Sequence, residues 1–83
     1  MPTKAADVRE LVEFLVRGLV ARPDGVSVRA TEDDRTVSIE VRVAPEDIGK
    51  VIGRGGRVVA AIRTLARAAA GSRGRRVIVE IVQ

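Results

Sequence analysis

The stretch Ile48-Gly49-Lys50-Val51-Ile52-Gly53-Arg54-Gly55-Gly56-Arg57-Val58-Val59-Ala60-Ala61-Ile62-Arg63 decides the fold. Gly53, Gly55 and Gly56 lie within four residues and separate two segments that are apolar at the helical period. Ahead of the glycines, Ile48, Val51 and Ile52 form the apolar side of a short helix predicted over 45–52. Pro45 suits its first turn, and Glu46 and Asp47 suit its positive dipole end. Behind them a second helix is predicted over 57–70, with Val58, Ile62, Leu65 and Ala69 on one face. A glycine has no Cβ, so the loop admits positive φ and lets an anion come close to the backbone. The free N–H groups and dipole at the start of the second helix favour negative charge at the same place. Arg54 and Arg57 can fork onto phosphate oxygens. These features together make an anion-binding corner.

Three phosphate motifs can be compared with this corner. A P-loop needs Gly-Lys followed by Ser or Thr, but Gly49-Lys50 is followed by Val51. A dinucleotide fingerprint needs a preceding strand and a glycine where Val58 stands. A Gly-x-x-Gly turn between two helices does match, as Gly53-Arg54-Gly55-Gly56. Alone that motif is weak, and a purely structural turn is its default meaning.

The flanks add context. Asp7 to Ala21 reads as a helix, with room to begin at Thr3, because Val8, Leu11, Val12, Leu15 and Leu19 recur at its period. Phe14, Val16 and Val20 widen that stripe beyond what one core contact needs. Arg22-Pro23-Asp24-Gly25 ends it. Val26 to Thr31 alternates as a strand, Glu32-Asp33-Asp34 is a polar turn without calcium-loop spacing, and Arg35 to Val43 is a second strand. Gly71-Ser72-Arg73-Gly74 stops the last helix before a final strand from Arg76 to Val82. The order is α-β-β-α-α-β, an α+β domain in which helices cover one face of three strands.

Eighty-three residues support one core, and the chain carries no Cys and no His to add a disulfide or a metal site. No cofactor is expected. No apolar run reaches the roughly 20 residues of a membrane span, and the first helix lacks the uninterrupted core of a signal peptide, so a cytoplasmic location is expected. Charge is segregated. Residues 1–49 hold seven Lys/Arg against ten acids, net −3, whereas residues 50–83 hold eight against one, net +7. Genome bias can explain thirteen Arg against two Lys, but not that segregation, which is the electrostatic footprint of a nucleic-acid binder. Phe14 is the sole aromatic residue, which removes most support for modules that stack bases on aromatic rings. Without His, Cys or Tyr there is no evident general base or thiol nucleophile, and Ser27, Ser38 and Ser72 have no identifiable activating partner. An enzyme is not expected.

The run from Ile48 to Arg63 resembles the signature of the KH family over its whole length. The flanking order is similar to type II KH domains, and length and order resemble the small stand-alone KH proteins of bacteria. Gly55 departs from the pattern, since many relatives carry a polar or basic residue there. The resemblance implies a single KH domain over 1–83 with a mixed sheet, and a narrow groove for about four unpaired nucleotides of RNA. Gly53, Arg54, Gly55, Gly56 and Arg57 would hold the sugar-phosphate side, with Lys50 and Arg63 beside them. Ile48, Ile52 and Val51 would form the floor for bases, joined by Ile39 or Val41, although any core would contain such residues too. Arg67, Arg73, Arg75 and Arg76 read either as a phosphate-attracting rim or as solvated surface. The family also implies pairing, as a homodimer or with a larger KH-containing protein, and a task as an RNA chaperone or post-transcriptional regulator. Single-stranded DNA is the alternative ligand, and a pure protein-interaction module the alternative function.

Overall fold

Side chains of a strand alternate between faces, so Val37, Ile39 and Val41 of β2 (Thr36–Arg42) point the same way, and all three are buried. The computed structural model, which describes residues 5–71 and 75–82, places β2 at the centre of a three-stranded sheet. β1 (Ser27–Glu32) pairs with it antiparallel and β3 (Arg76–Val82) pairs parallel. The register stacks apolar rows across the sheet: Val28, Val41 and Ile81 in one, Ala30, Ile39 and Val79 in the next, then Val37 beside Val77. The sheet is thus mixed, and the parallel pair requires a crossover, which the helical segment between β2 and β3 supplies.

Of the acidic run, Glu32 ends β1, paired with Val37, and Asp33 and Asp34 enter the β1–β2 hairpin turn. One carboxylate oxygen of Asp33 accepts the N–H groups of Arg35 at 2.7 Å and Thr36 at 2.8 Å. This local bonding is why Asp favours turns.

Helix α1 (Ala5–Leu19) packs on β1 and on α3 (Arg57–Ala70), and α3 packs on β3. The other sheet face is polar, with Arg29, Glu40 and Glu80 in one row and Thr31, Ser38 and Ile78 in the next. Element order and type agree with the sequence reading, but the buried faces are rotated. In α1 the core side is Ala5, Val8, Val12 and Val16, whereas Leu11 and Leu15 are half-buried and Leu19 is exposed. In α3 it is Val59, Ile62, Ala66 and Ala70, leaving Leu65 47% exposed. Periodicity locates an apolar stripe; the packed partner selects its centre, and small side chains bring backbones closer together. Helix α1 also ends two residues before the expected Ala21. Of the sequence between α3 and β3, Gly71 caps α3 at φ 77°, while Ser72, Arg73 and Gly74 lie outside the described residues.

Candidate nucleic-acid interface

Helix α2 spans only Ile48–Ile52, after a 3₁₀ turn at Pro45–Asp47. One turn and a half cannot hold itself together in water, so its position depends on anchors. One is Val51, which is fully buried. The other is Asp47, the buried polar residue among the described residues. Its carboxylate does not cap its own helix. Instead it accepts the N–H of Ala21 at 3.1 Å and of Arg22 at 3.0 Å, and it pairs with Lys50 Nζ at 3.2 Å. This capture of two backbone donors is what draws the chain out of α1 after Leu19. The Ala21 N–H, then those of Arg22 and the Lys50 ammonium, holds the Asp47 carboxyl below the usual carboxylate range, against the opposing effect of burial.

Past Ile52, the Gly53 N–H closes α2 onto Gly49 O at 2.8 Å, and the chain turns through Gly53, Gly55 and Gly56 at φ 78°, 64° and 78°. All three values lie in the left-handed region that L side chains avoid. The glycines nevertheless serve different ends. A Cβ on Gly53 would collide with Val58, whereas a Cβ on Gly55 or Gly56 would meet nothing within 4 Å. The first glycine is needed for packing; the other two leave the backbone open to an approaching group. Helix α3 starts directly after Gly56 with no side-chain cap; the Gly56 N–H goes to Gly53 O at 3.1 Å and that of Arg57 to Arg54 O, and no side chain claims the N–H groups that follow in the first turn.

Arg54, Gly55 and Arg57 are exposed, and Gly56 is half-buried. Among the described residues, Arg54, Arg57 and Arg67 have no carboxylate partner. Lys50 is also exposed but shares its charge with buried Asp47. Ile48 and Ile52 are half-buried, so both offer apolar surface beside the loop. Val51, Ile39 and Val41 do not: each is at most 1% exposed, and the expected floor narrows accordingly. These three fill the space between sheet and helices.

Arg63 leads to a feature that the sequence did not disclose. Its Nε donates to Val79 O at 3.3 Å, on the edge of β3 that no strand pairs with among the described residues. Arg76, one step out of phase, turns its N–H the other way, onto Arg35 O at 2.6 Å. By this alternation Val77 and Val79 present backbone polar groups outward. A groove of about 640 Å³ runs between this edge and α3, with Arg63 and Arg67 on the helix side and Arg75 and Arg76 at the strand side. Arg75 also reaches Glu32 across the hairpin. The arginines were legible as a basic set; that the last strand is an edge facing α3 depends on pairing, which no local pattern encodes.

Comparison with known proteins agrees with this architecture. The family described as "KhpA/KhpB, KH domain" matches residues 9–81. The chain is similar to a protein named RNA-binding protein KhpA in Caldanaerobacter subterraneus, 51% identical over 88% of this chain and 97% of that one. It is similar to a protein of the same name in Mycobacterium bovis, 52% identical over 94% of each chain, and to one in Clostridium perfringens, 43% identical over 90% of this chain and 100% of that one. No solved structure gives a significant match. With the glycine turn seated between two helices and a mixed sheet of the expected order behind it, the chain belongs to the KhpA/KhpB family of KH domains.

Proposed function

We propose that this protein binds single-stranded RNA, with the Gly53–Gly56 turn gripping the sugar-phosphate backbone. The observation that carries the reading is the open backbone at Gly55 and Gly56, set at the uncapped start of a fourteen-residue helix and flanked by the exposed Arg54 and Arg57. Phosphate is the group that suits such a corner. Relatives bearing the name RNA-binding protein support the same ligand. From the loop the strand would pass Ile48 and Ile52, with Lys50 alongside, and follow the groove past Arg63 to the free edge of β3. Backbone groups at a strand edge can read the edges of unstacked bases, which fits a protein almost without aromatic rings. The setting is a cytoplasmic RNA chaperone or post-transcriptional regulator. The test is equilibrium titration with a labelled unstructured RNA of about eight nucleotides, longer than the roughly four that one such domain clamps, beside the matching DNA strand and a duplex. Tightest binding to the RNA strand is expected. Preference for the DNA strand would replace the ligand, and preference for the duplex would remove the reading.

A second reading concerns assembly. Phe14 is 76% exposed on α1 and Leu65 47% exposed on α3, and large apolar groups left in water favour a partner. The protein pairs through this helical surface, with a second copy or with a larger KH-containing protein, leaving the glycine turn free.

A further inference from the structure

We infer that Asp47 is the positioning residue of the glycine turn: its buried carboxylate ties the end of α1 to α2, and so sets where the turn stands. The inference rests on the reading of that turn as a phosphate clamp.

The turn is continuous with α2, so any shift of α2 moves Gly53 and the residues after it. Helix α2 has five residues, and two buried side chains anchor it at its start and middle, Val51 through apolar contact and the preceding Asp47 through polar contact. Of the two, only Asp47 specifies direction. Its two oxygens meet two consecutive backbone N–H groups, Ala21 and Arg22, more than twenty residues away in sequence, while Lys50 approaches one of those oxygens from the next turn of α2. A carboxylate is an expensive group to bury, and apolar packing would hold a helix as well. What a carboxylate adds is fixed geometry, because its donors are themselves fixed. A clamp that must meet phosphate oxygens at hydrogen-bond distance depends on such supporting groups.

Asp47→Asn separates this from electrostatics by sign. The substitution raises net charge from the present +4 to +5 and releases Lys50 from its carboxylate, so charge alone makes RNA binding tighter. Positioning makes it weaker, by about tenfold, the lower end of what supporting partners are worth behind the ligands of metal sites. Affinity for the unstructured RNA is measured well below the melting temperature, with circular dichroism confirming the folded state. Amide exchange is followed on the same samples. Faster exchange at Gly55, Gly56 and Arg57, with Ile39 and Val41 in β2 unchanged and affinity lowered, is the expected result. Affinity equal or tighter, or exchange raised uniformly through β2, overturns the inference. Should Asp47→Asn not fold, Asp47→Glu keeps the charge and displaces the carboxylate by one methylene; the same pattern supports the inference, and unchanged affinity and exchange overturn it. If the unaltered protein binds no RNA, the clamp reading fails by itself. The exchange arm then decides: acceleration confined to the turn supports positioning by Asp47, and uniform acceleration overturns it.

Discussion

Gly53 and Val58 are in such close contact that a Cβ on the glycine would stand 2.3 Å from Val58 Cγ2 and 2.8 Å from its backbone nitrogen. The first turn of α3 therefore lies against the end of α2, with no room for a side chain at Gly53. Gly56 has the same φ of 78°, yet a Cβ there would find no neighbour within 4 Å, so the two ends of one motif answer to different constraints.

Gly53→Ala is expected to be the most damaging single change in the turn. It adds the cost of a backbone at φ 78° and ψ 171°, a region almost reserved for glycine and worth about 1–3 kcal/mol, to an overpacking cost of about 1–3 kcal/mol. Gly56→Ala, at φ 78° and ψ 14°, incurs only the left-handed penalty of about 1–2 kcal/mol. Thermal melts of the two variants should separate clearly, with Gly53→Ala lower, and Gly53→Ala combined with Val58→Ala should recover part of the loss. Equal melts would mean that Val58 yields without cost.

Replacing Arg54 and Gly55 together by Asp should abolish RNA binding and leave the protein folded. Two negative charges then stand where phosphate is expected, while the new side chain at Gly55 has open space around it. The φ of 64° there costs about 1 kcal/mol, Asp being among the residues that tolerate it best. Titration with the unstructured RNA and a thermal melt test both halves; unchanged affinity would remove the clamp.

Affinity should fall with salt. If about two to four phosphates are neutralised, log affinity against log salt should have a slope of roughly −1.5 to −3. A flat dependence would mean that the basic C-terminal half does not touch the backbone of the nucleic acid.

Acid should weaken the fold through Asp47. Its folded-state pKa is depressed, chiefly by the Ala21 N–H, so its contribution is present above the unfolded value and is lost as pH falls through the folded one. Melting temperature should therefore decline as pH falls below the ordinary aspartate range, about 4. The acid limb should be shallower in Asp47→Asn, whose stability at neutral pH is already lower. Parallel limbs would show that other carboxylates dominate.

Phe14→Ala tests pairing. Truncating an exposed side chain costs a monomer no more than about 0.5 kcal/mol, and Phe14 is 76% exposed. Sedimentation and melts from low to high micromolar protein should show association and a midpoint that rises with concentration, as mass action requires. Phe14→Ala should reduce both trends. A monomer throughout, melting at one temperature, would remove self-association.

The order of elements was legible because each rests on local chemistry. Alternation at Val37, Ile39 and Val41 marks a strand whatever it pairs with, and Gly53, Gly55 and Gly56 admit the left-handed backbone that a helix-to-helix turn needs. The exposed position of Arg54 and Arg57 was legible for the same reason, since the turn itself places them. Asp47 shows the opposite case. In sequence it is an acid at a helix start, a common feature that a dipole explains; its partners at Ala21 and Arg22 come near only after folding.

What this sequence determined by itself is the list of elements, their order and the chemistry of the turn, all of which depend on residues within one helical turn or one strand repeat of each other. Only the tertiary structure decided which side of each stripe is buried. It put Val16 inside and Leu65 outside, made the edge of β3 a wall of the groove, and sealed Ile39, Val41 and Val51 away from any ligand. The reason is that burial and strand pairing are relations between distant segments. A helix with apolar residues over a wide arc can be rotated to several faces, and close packing against its neighbours selects one.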